Sequence, residues 1–272
     1  MNLFETYTGA DFLAFYAVML LTCVGLSFWI PANLRPEGRK GSLDDPEDIA
    51  LLAGGAQRHA LTVLADLYVQ GAIEKAKKTR VSVARTSVVT TSAGTAVLRK
   101  VGDFSLSETM RSLKDHAQEI EKRLIKRGLL MQNGELMKLR VLSVVPYVAL
   151  ALIGLYRQKA GEALGEPTGF LIALLVVTGV LAFIRGANLN RRTMAGNAVL
   201  ADWRDRSSRI KRAPEGSEVP LAVGLFGTGV LAGTPYAHVH AMRQTGSGGG
   251  DGDPGDGGGG GGCGGGCGGC GG

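Results

Sequence analysis

Cys263, Cys267 and Cys270 are three of the chain's four cysteines, and they stand in a terminal segment, residues 246–272, that holds 19 glycines and three aspartates. Their Cys-x3-Cys-x2-Cys spacing is the one that radical S-adenosylmethionine enzymes use to hold a four-iron cluster, and thiolates do bind such clusters. Only glycine separates the ligands here, however, and no aromatic residue precedes the third cysteine. Spacing in a Gly-Cys repeat does not point to radical catalysis. A zinc site of these three thiolates with His240, or with His238, is a second chemistry. Structural zinc supplies ~10–16 kcal/mol, whereas ordering glycine costs about 1–2 kcal/mol per residue. The 23 positions from His240 to Cys263 are not prohibitive, but nothing nearby packs to close the loop. A third chemistry is covalent modification. A segment with nothing to bury is expected to be disordered, and glycine leaves backbone and thiol open to a modifying enzyme. Lipidation finds neither a terminal prenylation box nor a juxtamembrane cysteine. The plainest reading is a low-complexity extension whose cysteines are incidental.

Elsewhere the signals for chemistry are weak. His59 and His116 fall on expected helices without a second histidine four positions on, and no His-Glu-x-x-His frame is present. Gly94 and Gly102 form no phosphate-binding loop, and no Gly-x-Ser-x-Gly elbow occurs. The hydroxyl-rich stretch 86–95 reads as strands and turns. The run Arg204, Arg206, Arg209, Lys211, Arg212 reads as a solvated or lipid-facing surface. No catalytic residue, resident metal or cofactor is expected, and the chain does not read as an enzyme.

The elements that would carry these residues are set by three uncharged runs, 12–30, 141–156 and 168–184. About 20 apolar residues cross a bilayer core. The first run meets that length, and the other two, joined by the polar loop 157–167, read as a membrane hairpin. Lys138, Arg140 and Arg185 flank the hairpin where long side chains can snorkel, and Trp29 and Tyr156 stand at expected interfaces. The first run lacks a basic leader and a small-x-small cleavage pattern, so it reads as a retained anchor. Residues 1–11 hold no Lys or Arg, 31–140 hold 19, the hairpin loop two and 185–212 eight. That asymmetry places the N-terminus outside and residues 31–140 and 185–245 in the cytoplasm of an inner (plasma) membrane protein. The net charge of +6 is explained by this topology and by attraction to anionic lipid, with nucleic acid the less favoured partner. Cys23 lies within the first run and reads as a packing residue. Cytoplasmic disulfides in the tail are disfavoured.

Between the first and second crossings the chain reads as folded. Asp45-Pro46-Glu47-Asp48 starts a helix, Gly54-Gly55 interrupts it, and residues 56–70 resume it until Gly71. Ile73, Val81, Val83, Val88 and Val89 favour short strands around a basic turn of Lys75, Lys77, Lys78 and Arg80. A further helix spans about 107–127, capped by Ser105 or Ser107 and stopped by Gly128. Gln132-Asn133-Gly134 reads as a hairpin turn. The sequences around Gly71 and Gly128 echo each other as helix, glycine, apolar strand. Winged-helix modules use that step, but it is also a generic turn, and the generic reading is preferred. Residues 187–212 read as one Arg-rich helix. Residues 219–233, short and glycine-rich, read as an interfacial or domain-packing segment rather than a fourth crossing.

The stretches Ile49-Ala50-Leu51-Leu52-Ala53-Gly54-Gly55-Ala56-Gln57-Arg58, Leu64-Ala65-Asp66-Leu67 with Gly71-Ala72-Ile73, and Arg192-Thr193 with Gly196 and Leu200 resemble an uncharacterised bacterial membrane-protein family defined by a numbered conserved domain. The resemblance implies an N-terminal membrane run, a Leu-Ala-Gly-Gly cytosolic domain, a membrane hairpin and a glycine-rich tail that often carries cysteine. It implies no activity, cofactor or catalytic residue. The expected fold is thus a helical multi-pass membrane protein with three transmembrane helices, a small α+β cytosolic domain with a winged-helix-like step, and a disordered tail. Three functions stay open. The first is a non-enzymatic interaction or scaffold protein, bound to the lipid bilayer and an unknown protein partner. The second is a precursor or carrier whose Gly-Cys tail is modified or binds metal. The third is a membrane-tethered DNA-binding regulator using Arg58 or the basic turn.

Overall fold

The computed structural model describes residues 9–39, 41–77, 79–163 and 169–246. Helices dominate: α1 (Gly9–Asn33), α2 (Pro46–Val69), α3 (Ser92–Leu98), α4 (Leu106–Ser112), α5 (Lys114–Lys126), α6 (Asn133–Ala163), α7 (Gly169–Ala187), α8 (Met194–Arg206), α9 (Ser208–Arg212), α10 (Val219–Phe226) and α11 (Ala237–Gly246). Strands β1 (Ile73–Lys75) and β2 (Val81–Val83) pair antiparallel, with Ile73 opposite Val83 and Lys75 opposite Val81.

Helices α1, α6 and α7 are long and apolar enough to cross a membrane. Of the large apolar side chains left exposed, all but Leu34, Val89, Val101 and Met194 lie on these three helices, Trp29 and Tyr156 among them. In water such a surface would be costly; in lipid it is the expected outside of a bundle. The helices outrun the apolar segments read from sequence. In particular, α6 continues through Arg157 to Ala163, so the first part of the expected 157–167 loop is helical. The Arg157 guanidinium lies 5.8 Å from the centre of the Phe12 ring, which draws this polar turn onto α1.

Inside the bundle, Phe12, Tyr16, Leu20, Cys23, Tyr147, Leu150 and Leu171 pack together. Gly154 lets α6 come close: a Cβ there would sit 2.8 Å from the Tyr16 ring. Polar contacts fix the rotation of the helices. Tyr16 Oη and Thr178 Oγ1 are 3.1 Å apart, and Tyr147 donates to Ser27 Oγ at 3.0 Å. Pro31 sits one turn after Ser27 and has no N–H, so the Ser27 carbonyl loses its helical partner. Arg185, near the end of α7, donates from Nε (2.9 Å) and Nη2 (2.5 Å) to that carbonyl. Its guanidinium also covers the Phe28 ring at 4.5 Å.

The remaining elements form a helical body. Asp45 caps α2 by accepting from Glu47 N at 2.9 Å, with Pro46 at the first helical position. The expected interruption is present, since Gly54 and Gly55 leave helical geometry and Gly55 takes φ +68°. Helix α10 lies along α2, and a Cβ on Gly224 would stand 3.3 Å from the Ala50 Cβ. Val219, Ala222, Val223 and Leu225 are fully buried. Residues 219–226 are therefore a core element of the body and not a fourth crossing. Ser105 and Glu108 form a reciprocal cap for α4. The expected 107–127 helix is divided at Leu113, which turns out of helical geometry with its side chain in the core.

Three expectations from sequence fail. Val88 and Val89 form no strand. Thr91 instead caps α3 by accepting from Gly94 N at 3.1 Å, which makes part of the 86–95 stretch helical. Asn133-Gly134 opens α6 instead of turning a hairpin, because Glu135 Oε2 accepts from Gln132 N at 3.0 Å and so caps a helix start. Residues 187–212 are not one helix, since 188–193 are drawn out of helical form to pair with the segment before α6.

That pairing completes the internal echo. Helix α2 ends with Gly71 at φ +65° and α5 with Gly128 at φ +73°. Ala72 N bonds Leu67 O at 2.9 Å, and Leu129 N bonds Leu124 O at 2.9 Å, the same left-handed helix stop in both places. After Gly71 the strand finds β2 across a short turn. After Gly128 it finds residues 191–193 (Met131 N to Arg191 O, 2.8 Å; Thr193 N to Leu129 O, 3.1 Å), with the whole α6–α7 hairpin standing where the turn would be. The chain leaving α1 joins the same place: Met194 N bonds Pro36 O at 3.0 Å, Ala195 N bonds Glu37 O at 2.8 Å, and Arg39 N reaches Gly128 O at 3.4 Å.

Gly71 and Gly128 share a backbone conformation but not a setting, which gives a test. Gly71→Ala meets open space and is expected to cost about 1–2 kcal/mol from left-handed strain alone. Gly128→Ala should cost more, because its Cβ would stand 2.9 Å from Arg39 N. Chemical denaturation of both variants in one detergent checks the order, and equal losses would contradict a tight junction at Gly128.

Candidate functional site

The break in α2 opens a cavity of about 840 Å³ against α4, α5 and the segment that follows α7. This is within the usual range for small-molecule sites. Gly54, Gly55, Ala56 and Gln57 form one wall, where the second half of α2 restarts. At Gly55 a side chain would meet nothing within 4 Å, so the backbone is bare there. Ala187 to Arg192 form another wall, so the cavity begins directly at the end of a membrane-length helix. Leu51, Leu52, Leu61, Leu130 and Val223 supply apolar lining.

The charge around it is one-sided. Arg58, Arg111, Lys114, Arg191, Arg192 and Arg243 line the cavity, and Glu121 is the one acidic lining residue. Arg192 is buried and satisfies the end of the first half of α2: Nε donates to Leu52 O at 2.7 Å and Nη2 to Ala53 O. A cation belongs at a helix C-terminus, and the guanidinium fork reaches two carbonyls at once. Arg191 pairs with Glu121 at 2.8 Å and donates to Asn133 Oδ1 at 2.6 Å, while its enclosed Nε has no acceptor. Arg58, 7% exposed, lies across Gly54, where a Cβ would clash with its side chain at 2.4 Å. Its Nη1 is 3.4 Å from Leu225 O. A Cβ on Gly227 would lie 3.3 Å from Arg58 Nη2 and 3.6 Å from Arg243 Nη1, so these two heads approach the same glycine.

A second polar cluster lies at the start of α2. His59 is fully enclosed and its Nε2 is 2.9 Å from Glu47 Oε2. Asp48, nearly buried, accepts from Arg123 at 2.6 Å, with Arg127 at 3.5 Å. Burial alone would raise the Glu47 carboxyl. Hydrogen bonds from His59 and Thr91 and the nearby charges of His59 and His116 more than compensate, and hold it below its ordinary value. Neither Glu47 nor His59 lines the cavity.

The residues singled out from sequence are scattered. Cys263, Cys267 and Cys270 lie outside the described residues. His240, on α11, is within 3.1 Å of Thr228 Oγ1 and 3.2 Å of Gln244 Nε2, while His238 Nε2 faces Arg80 O at 3.0 Å. Among the described residues, no three His, Cys, Asp or Glu are grouped to hold a metal. Of the features proposed to meet DNA, Arg58 is buried, while in the basic turn Arg80 bonds Asp103 O and the Glu108 carboxylate and Lys75 and Lys77 are exposed. Sequence reasoning counted Arg191 and Arg192 among the topology charges, and Arg192 also within the stretch that carries the resemblance. Their adjacency to the end of an apolar run was the available signal for a basic site at the membrane face. The chain matches no family model, curated protein or solved structure.

Removing the Arg192 fork strands two buried carbonyls, so Arg192→Ala is expected to lower stability by about 1–3 kcal/mol. Arg192→Lys should restore only part of that, measured by denaturant midpoint. The Glu47 carboxyl, lowered when folded, contributes stability above its ordinary value near 4.5, and that contribution is lost as pH falls through the lowered folded value. Glu47→Gln should therefore flatten the acid limb of the stability–pH curve between about pH 5 and 3. An unchanged acid limb would contradict the lowered Glu47 carboxyl.

Proposed function

We propose that this chain is a non-enzymatic membrane interaction protein, which presents its basic helical body at the inner face of the plasma membrane and uses the tail bearing Cys263, Cys267 and Cys270 as a flexible recruiting arm. The observation that carries the reading is the junction of the three membrane exits. Residues 34–39, 128–132 and 188–196 are laced together by backbone hydrogen bonds, so the body is held in one attitude to the bundle. A device that only needed tethering would require one helix and a loose linker. Rigid attachment by three helices suits a protein that must offer a fixed surface to a partner. The Lys/Arg asymmetry supports the orientation, with the N-terminus outside. The helix–glycine–strand halves keep a winged-helix-like step in this reading, but with Arg58 buried and Arg80 engaged the surface is better suited to lipid and protein than to DNA.

Protease added to intact cells is expected to spare the body, and to cleave it only after the inner face is made accessible. The protein should also resist extraction by carbonate. Digestion of residues 34–130 in intact cells would overturn the orientation, and carbonate release would overturn membrane insertion itself.

A further inference from the structure

We infer that the cavity at the α2 break is a binding site for a phosphate-bearing anion. Six cationic side chains line it against one carboxylate, and that carboxylate is already taken by Arg191. Arg111, Lys114 and Arg243 have no acidic partner among the described residues. Holding like charges around one hollow is unfavourable unless an anion enters to neutralise them. Arg191 adds its charge to the wall while its head is held by Glu121 and Asn133. The bare backbone at Gly55 leads directly into the second half of α2, whose N-terminal end adds positive potential to the same wall.

The remaining lining narrows the ligand. The volume exceeds that of a lone phosphate, and Leu51, Leu52, Leu130 and Leu189 give part of the lining an apolar character. Leu189 follows within one turn of the end of α7, so part of the apolar lining lies next to the end of a membrane-length helix. A phosphate head with an apolar or glycerol-like body fits both surfaces. Two sources share this chemistry: an anionic phospholipid headgroup and a soluble phosphate compound.

The test uses the full chain in detergent, titrated calorimetrically with dioctanoyl phosphatidic acid and, separately, with inorganic phosphate; dioctanoyl phosphatidylcholine is the zwitterionic control. The pair Arg111→Gln and Arg243→Gln removes two cavity charges from side chains that carry no internal ion pair. Lys77→Gln with Arg99→Gln removes the same charge from exposed positions outside the lining. Saturable binding of the phosphatidic acid, weakened at least tenfold by the cavity pair and less than twofold by the outer pair, establishes the site with a lipid as its source. The same pattern with inorganic phosphate establishes it with a soluble source. Absence of saturation by both probes, equal binding of phosphatidylcholine, or equal weakening by the two pairs overturns the inference. The experiment does not depend on which side of the membrane the body occupies, so it can fail while the proposed topology stands, and the reverse.

Discussion

The backbone around Gly128 is the constraint on which the rest of the molecule depends. The Gly128 carbonyl faces Arg39 N at 3.4 Å and accepts from Thr193 Oγ1 at 2.8 Å, and the next carbonyl, of Leu129, accepts from Thr193 N at 3.1 Å. Three chain segments arriving from three membrane helices thus converge on two peptide units. Little room is left for side chains. A Cβ on Gly38 would lie 2.2 Å from the Gly128 carbonyl oxygen, and one on Gly196 would lie 2.3 Å from that of Leu129. Glycine is required at both, by close approach of backbone to backbone. Because most of these bonds are formed backbone to backbone, they fix the relation of body to bundle more firmly than surface ion pairs could.

Two arginines on either side of the end of α7 answer two breaks made elsewhere. Pro31 strips the Ser27 carbonyl of its partner, and Arg185 takes it. Gly54-Gly55 ends a helix early, and Arg192 takes the carbonyls of Leu52 and Ala53. Buried polar groups must be paired, so each break is tolerable only with its arginine in place. One short stretch, 185–192, therefore stabilises irregular backbone in both the apolar helix bundle and the helical body. It also forms a wall of the cavity.

Much of this was legible in the sequence because it depends on local rules. Asp45-Pro46 as a helix start, the Gly54-Gly55 interruption, short strands at Ile73 and at Val81 and Val83, and the Gly71 and Gly128 stops follow from backbone preference and capping. The three apolar helices follow from composition and length. What escaped is non-local. Asn133-Gly134 has turn chemistry, but the partner of residues 129–131 lies beyond the membrane hairpin, and no short-range pattern announces a strand pair across some 60 residues. The cavity escaped for the same reason: its cations come from α2, α4, α5, the segment after α7 and α11, and only folding brings them together. In sequence they are ordinary surface charges.

The strand pair that closes around α6 and α7 also orders events during synthesis. Residues 129–131 leave the ribosome long before 191–193 exist, and the second half of the body lacks its partner strand until then. Both membrane helices must emerge, and leave their two ends adjacent, before the last backbone bonds can form. Completion of the body's core is thereby made contingent on the hairpin bringing its two ends together, and a chain in which it fails to do so is left with an unpaired edge and an unfinished interior, a surface prone to misassembly.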